Sequence, residues 1–249
     1  MDKSNLISTP AMENSRFSLL ECLVFIVIYG STLLVSRACW LVGSAEESPA
    51  LDEGLRWQAI TLISVGALIN SVALMLWGRT ALAAIRTYGS RTRVDPGFWL
   101  VQLLGLSAIF ELLTSGLIVV SQQEVGASRG EWLQECLGLI SLICVAIVSF
   151  VAVVKLRPLR IWQAFYAVNG FGLPLAMLLS DSFSSDVSVD LIALGGTVSS
   201  ILLILACRCD APLLKELSQN SRMGIFLFLA AAGWHVAWTT ILYRFFVSA

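Results

Sequence analysis

Seven stretches of this chain stay apolar for about twenty residues or more. They cover roughly 17–43, 57–78, 98–121, 133–154, 161–180, 188–207 and 223–247. A helix rises about 1.5 Å per residue, so about twenty apolar residues match about 30 Å of bilayer hydrocarbon. None of the stretches alternates with period two, as a transmembrane strand would. Backbone groups in hydrocarbon must bond within their own segment, which leaves helices. Charged residues make up 13% of the 249, and mean hydropathy is +0.82; soluble domains carry about 25% charged residues. A soluble globule could not cover that much apolar surface. The expected fold is all-α: a polytopic integral membrane protein with seven transmembrane helices in one domain over 17–247, behind a polar tail over 1–16. No small-residue cleavage site follows the tail, so the first span is expected to act as its own insertion signal.

Orientation follows from lysine and arginine in the connections. Lys3 and Arg16 precede the first span. Arg79, Arg86, Arg91 and Arg93 follow the second, Lys155, Arg157 and Arg160 the fourth, and Arg208, Lys215 and Arg222 the sixth. With seven spans these twelve cations share one side. The opposite connections hold Arg56 and Arg129 among Glu46, Glu47, Asp52, Glu53, Glu124, Glu131, Asp181 and Asp186. Arg37 and Arg244 lie near the outer ends of the first and last spans, where long side chains snorkel. The expected topology has the N-terminus cytoplasmic and the C-terminus outside. Trp57, Trp99, Trp132 and Trp162 sit at span edges and read as an aromatic belt. Segment 210–222 reads either as a plain connection or as a short interfacial helix with Leu213, Leu214 and Leu217 on one side.

An ionisable group inside a membrane helix is a candidate for function. Glu111 lies mid-way along the third span. His235, the only histidine, lies mid-way along the last, beside Trp234. Both fall roughly 18–20 Å from the inner face at helical rise. They would satisfy one another as a proton-responsive or ligand-binding pair; alternatively each bonds a local hydroxyl or carbonyl, with Thr114, Ser115 and Thr239 at hand. Asn70 and Asn169 are also near mid-depth and suit interhelical hydrogen bonding. Gly195, Gly196, Ser199 and Ser200 suit close helix approach. Pro174 with Gly170 and Gly172 is expected to loosen the fifth span.

Other chemistry is missing from the sequence. There is no HExxH, GxSxG or P-loop pattern, so no catalytic residue is assigned and an enzyme is not expected. One histidine and scattered cysteines give no metal set. A net charge of −1 without a basic patch excludes nucleic acid as the expected partner. Cys39 and Cys136 both lie near the outer edge, where a disulfide is conceivable.

Some short motifs resemble one family. The turn SSDVSV (Ser184 to Val189), the IWQAF run from Ile161 to Phe165, and the Ala237–Trp238 pair are similar to heliorhodopsins. The inverted seven-helix topology is also theirs. The resemblance implies a homodimer and an aromatic pocket lined by Tyr166, Phe171, Trp234 and Trp238. It sets Gly233 where the family has its retinal lysine and Gln102 where it has the counterion. Covalent retinal is therefore not expected, and losing the cation removes the need for the anion. Lys3, Lys155 and Lys215 are the only lysines, and none is deep in a span.

The candidate ligand pocket comprises Gln102, Glu111, Tyr166, Asn169, Gly233, Trp234, His235 and Trp238. Its expected ligand is a non-covalent retinoid, pigment or lipid. The expected role is sensing or signalling, with membrane lipids and a second copy or a membrane complex as partners. Two alternatives stay open: an accessory subunit of a larger membrane complex, and a small-solute or proton-coupled transporter using Glu111 and His235.

Overall fold

The computed structural model describes the backbone at residues 18–45, 53–86, 95–123, 127–172, 185–217 and 219–247, and the side chains over most of these. Among the described residues every regular element is helical. The helices are α1 (Leu19–Ala45), α2 (Glu53–Arg86), α3 (Pro96–Gln123), α4 (Ala127–Lys155), α5 (Arg160–Ala167), α6 (Ser185–Cys209), a short α7 (Ala211–Glu216) and α8 (Gln219–Val247). Four contain stretches long and apolar enough to cross a membrane: Leu19–Cys39, Trp57–Leu82, Pro96–Val120 and Trp132–Lys155. These are the first four spans read from the sequence.

Local chemistry accounts for the helix ends. Ser18 and Glu21 form a reciprocal capping box at α1. The Glu21 amide donates to Ser18 Oγ at 3.2 Å, and the Ser18 amide donates to Glu21 Oε2 at 2.8 Å. At α3, Asp95 is the cap. Its Oδ1 accepts the Phe98 amide at 3.2 Å, and Pro96 follows at the first helical position, where a missing N–H costs nothing. Along the helices, hydroxyls turn back to the carbonyl four residues earlier: Thr32 to Ile28, Thr61 to Trp57, Ser64 to Ile60, Ser71 to Ala67 and Ser200 to Gly196. That habit satisfies a polar side chain without water.

The described chain packs as two compact units. One comprises Leu76–Leu104 and Leu142–Leu229, the other Phe17–Met75, Gly105–Ser141 and Ala230–Ala249. The first unit is built on aromatic rings. Trp162, Phe165 and Tyr166 stand at spacings of three and one on α5 and are all fully buried. Phe165 meets Trp162, Tyr166 and Phe228 edge-on, at centroid distances of 6.2, 5.1 and 5.2 Å. Leu100, Leu103, Leu156, Leu203, Ala206 and Ile225 close around them. Two of the expected belt tryptophans are therefore core residues: Trp162 is 0% exposed, and Trp99 packs against the same cluster. Trp57 and Trp132, at 62% and 63% exposed, keep the outward placement a belt requires.

α5 does not continue as an α-helix. It loosens into a π-turn, Val168–Gly172, which holds Gly170 and Gly172, two of the positions expected to loosen this span; Pro174 lies outside the described residues. Gly170 lets this turn press against α4, since a Cβ there would lie 2.2 Å from Ser149 Cβ. The Asn169 amide donates to Phe165 O of its own chain segment at 2.8 Å, where an interhelical bond was expected. Of the small residues expected to let α6 approach a neighbour, Ser199 is buried in the packed interior, and Gly195 lies outside the described side chains. Gly196 meets nothing within 4 Å of a Cβ, so it is not the close-approach point its composition suggested. Segment 210–222 holds the short helix α7, with Leu214 and Leu217 packed on the core of the first unit. The second unit is packed by small residues instead: Ala59, Ala67, Ala73 and Ala108 are buried, as are Gly66 and Gly105. All six cysteines are free thiols, Cys39 and Cys136 included, so the conceivable disulfide is not formed.

Candidate functional site

The candidate residues divide between the units. Gln102, Tyr166 and Asn169 belong to the first; Glu111, Gly233, Trp234, His235 and Trp238 belong to the second.

In the first unit the candidates hold helices together. Gln102 Nε2 donates to Thr80 Oγ1 at 3.1 Å, tying α3 to α2, and Thr80 itself donates to Trp77 O. The Tyr166 hydroxyl donates to the carbonyl of Pro96, seventy residues earlier, at the start of α3. A third tie joins α8: Ser221 Oγ donates to Asp95 Oδ2 at 2.6 Å. The helices can approach this closely because Gly97 and Gly224 lack side chains. A Cβ at Gly97 would sit 2.5 Å from Ser221 Cβ, and one at Gly224 would sit 2.6 Å from Val101 Cγ2. Asp95 and Ser221 were missed by sequence reasoning, since one stands at a span edge and the other in a connection, 126 residues apart. The capping pattern Asp–Pro before an apolar run was the available signal. Replacing Tyr166 with Phe deletes one net hydrogen bond and is expected to lower stability by about 1 kcal/mol. An unfolding curve identical to the wild type would remove this packing role from Tyr166.

In the second unit Trp234 is seated on α2. Its indole N–H donates to Leu62 O at 2.7 Å. Gly66, one turn further along α2, makes room for it: a Cβ at Gly66 would lie 2.6 Å from Trp234 Cζ2. A residue with any side chain at 66 would collide with the indole edge that makes this bond. Trp234 then stacks on Trp238, with centroids 6.1 Å apart and planes 10° from parallel, and meets the His235 ring edge-on at 4.8 Å.

The charge on Glu111 acts on the His235 ring, from α3 to α8. Helix geometry gives these two residues a special position. On α8, Phe226, Leu229, Gly233 and Val236 recur at spacings of three and four, and all are exposed. They form one outward stripe. His235 follows Gly233 by two residues, about 200° further round at 3.6 residues per turn. It therefore lies on a different side of α8 from that stripe, and it is itself exposed. The same holds on α3. Leu113 and Val120 are exposed on one side, while Glu111 continues the line of Ser107 on another. Ser107 and Glu111 are exposed as well. Gly233 stands apart from this set, since it belongs to the outward stripe and a Cβ there would meet nothing within 4 Å.

Around the pair, counter-charge is scarce. α3 contains no lysine or arginine, α8 has none between Arg222 and Arg244, and α2 none between Arg56 and Arg79. Arg37 on α1 is exposed. Among the described residues, no three His, Cys, Asp or Glu side chains gather as metal ligands. The chemistry available at the site is therefore one carboxylate, one imidazole, hydroxyl and amide groups, and aromatic faces. No protein-family model, curated protein or solved structure matches this chain.

Proposed function

We propose that this chain is a non-catalytic integral membrane protein of seven transmembrane helices, N-terminus cytoplasmic and C-terminus outside, that binds a small apolar or amphiphilic ligand in a sensing or signalling role. Its plan is that of heliorhodopsins without covalent retinal. One observation carries the binding reading: Glu111 acts on His235 from α3 to α8, and both keep accessible surface, His235 beside Trp234 and the Trp238 stacked on it. A pair serving packing alone would be closed off by its neighbours, because open space next to an ionisable group inside a bilayer is costly.

The seven-span arrangement draws support from the cation distribution and from the direction of α3 and α8. Gly97 lies against Ser221, and Glu111 acts on His235. Each second position is fourteen residues beyond the first, so the two helices run the same way. Parallel helices need an odd number of crossings between them, which spans at α4, α5 and α6 would provide. A helix of 29 residues such as α8 is about 43 Å long, enough to span a bilayer.

Two measurements test this reading. Protein purified in mild detergent should carry a small-molecule adduct in native mass spectra, and Trp238→Ala should lose it. Adding all-trans retinal should give no shifted, hydroxylamine-sensitive absorption band, because the chain has no lysine deep in a span. An adduct-free spectrum, with protein liposomes that pass solute in a Glu111-dependent way, would replace the binding role with transport. Stoichiometric membrane partners in place of the adduct would replace it with that of an accessory subunit.

A further inference from the structure

We propose that the ends of the outward ridges of α4, α5, α6 and α8 in the first unit form a binding surface for anionic phospholipids, whose headgroup phosphates sit on Arg157, Arg160, Arg208 and Arg222. The inference rests on the membrane-spanning reading above and adds the class of lipid that this end of the protein selects.

Apolar and cationic surface are continuous here. On α4 the exposed residues Ile147, Phe150 and Val154 recur at spacings of three and four. The next place in that line is Arg157, exposed in the turn after the helix. On α6 Val198, Ile201 and Leu205 run in the same way to exposed Arg208. The outward stripe of α8 begins one turn before Phe226, at exposed Arg222. The short α5 exposes Arg160 and, one turn on, Ala164. Residues at these spacings share one face of a helix. A long cationic side chain that ends a lipid-facing line stands where hydrocarbon gives way to headgroups.

The four arginines share one end of the unit. Arg157, Arg160 and Arg208 directly follow Leu156, Leu159 and Cys207, which belong to the aromatic-centred cluster or pack on it, and Arg222 precedes Ile225 of that cluster by three residues. Among the described residues no carboxylate pairs with any of the four. A guanidinium is a planar fork that takes a phosphate through two parallel hydrogen bonds. The phosphate of phosphatidylcholine is already offset by its own choline. An anionic lipid brings an uncompensated charge together with acyl chains that cover the ridges. A soluble phosphate would make the ionic contact and leave the ridges unused, so the continuity of the two surfaces favours the lipid.

The test titrates full-length protein in neutral detergent micelles with dioleoyl phosphatidylglycerol and with dioleoyl phosphatidylcholine, read by native mass spectrometry. The first phosphatidylglycerol molecules are expected to bind about fivefold more tightly than phosphatidylcholine, the ratio for one arginine at an anionic headgroup. Arg157→Gln, Arg160→Gln, Arg208→Gln and Arg222→Gln together should bring the two lipids to equal affinity. Arg208→Gln alone should remove one tightly held phosphatidylglycerol. Lys215→Gln takes one exposed cation from α7, off these ridges, and should keep the wild-type pattern. Equal losses from Arg208→Gln and Lys215→Gln would put diffuse charge in place of the ridge ends and overturn the proposal. So would displacement of the lipid by excess glycerophosphoglycerol, the same headgroup without chains. Equal binding of both lipids by wild type overturns it with no variant needed, which keeps the idea testable should the fourfold variant not fold. In each of these outcomes, protein that floats with liposomes retains the membrane-spanning reading. Protein that does not float overturns that reading too.

Discussion

Phe165→Ala is expected to be the most damaging single substitution in the described protein, costing about 3 kcal/mol in an equilibrium unfolding measurement in micelles. The estimate does not lean on transfer from water, because lipid is as apolar as the core and helix association in bilayers is held by packing. What is lost is contact. Phe165 is fully buried and meets three rings edge-on, and its removal leaves Trp162, Tyr166 and Phe228 facing a void that lipid cannot enter. The control is Phe226→Ala. Phe226 stands two residues from Phe228 on the same helix but is 69% exposed, so its loss should cost less than about 0.5 kcal/mol. Similar losses for both phenylalanines would mean that the α5 cluster does not organise the first unit.

The second large effect concerns Gly170. An alanine there would put its Cβ 2.2 Å from Ser149 Cβ and 2.8 Å from Ser149 Oγ, and one of the two segments must move. Overpacking of this kind costs about 1–3 kcal/mol. Ser149 is fully buried and its hydroxyl has no partner among the described residues, so it contributes volume and no hydrogen bond. The contact should therefore tolerate exchange of the two side chains. Ser149→Gly combined with Gly170→Ala should be more stable than Gly170→Ala alone, with a coupling above about 1 kcal/mol by double-mutant cycle. Additive losses would show that the clash is relieved elsewhere, and the close approach of α4 to the π-turn would then not be the reason for glycine at 170.

Much of this architecture can be read along the chain, and the rest is missed for definite reasons. Apolar runs report helices because hydrocarbon leaves the backbone no other option. The first four spans coincide with long apolar helices for that reason. Tryptophan placement is ambiguous. The same three residues, WQA, begin at Trp57 and Trp162, yet the first ring is outside and the second is at the centre of the core. Nothing local separates them. Phe228, which closes on the α5 cluster, is more than sixty positions away. A hint was available one turn on, where Trp162, Phe165 and Tyr166 share a face that Trp57 lacks. Glu111 and His235 stand out in sequence because ionisable groups are rare in apolar helices. Their facing direction did not, since a wheel drawn for one helix has no origin until its neighbours are known. Gly233 illustrates this: two positions from His235, it falls on the opposite side of α8.

The dipeptide Asp95–Pro96 collects three helices at one point: it caps α3, takes the Tyr166 hydroxyl from α5, and takes the Ser221 hydroxyl from α8. Its last partner lies 126 residues downstream. At synthesis rates of about 5–20 residues per second, the ribosome needs roughly 6–25 s to deliver Ser221 after Asp95 has emerged. For that interval the joint is unfinished, with one carboxylate oxygen and the notch at Gly97 awaiting α8. Biogenesis, more than the finished state, is then where this corner of the protein is exposed to error. Any factor that shields a half-built helical protein would be needed here until α8 arrives.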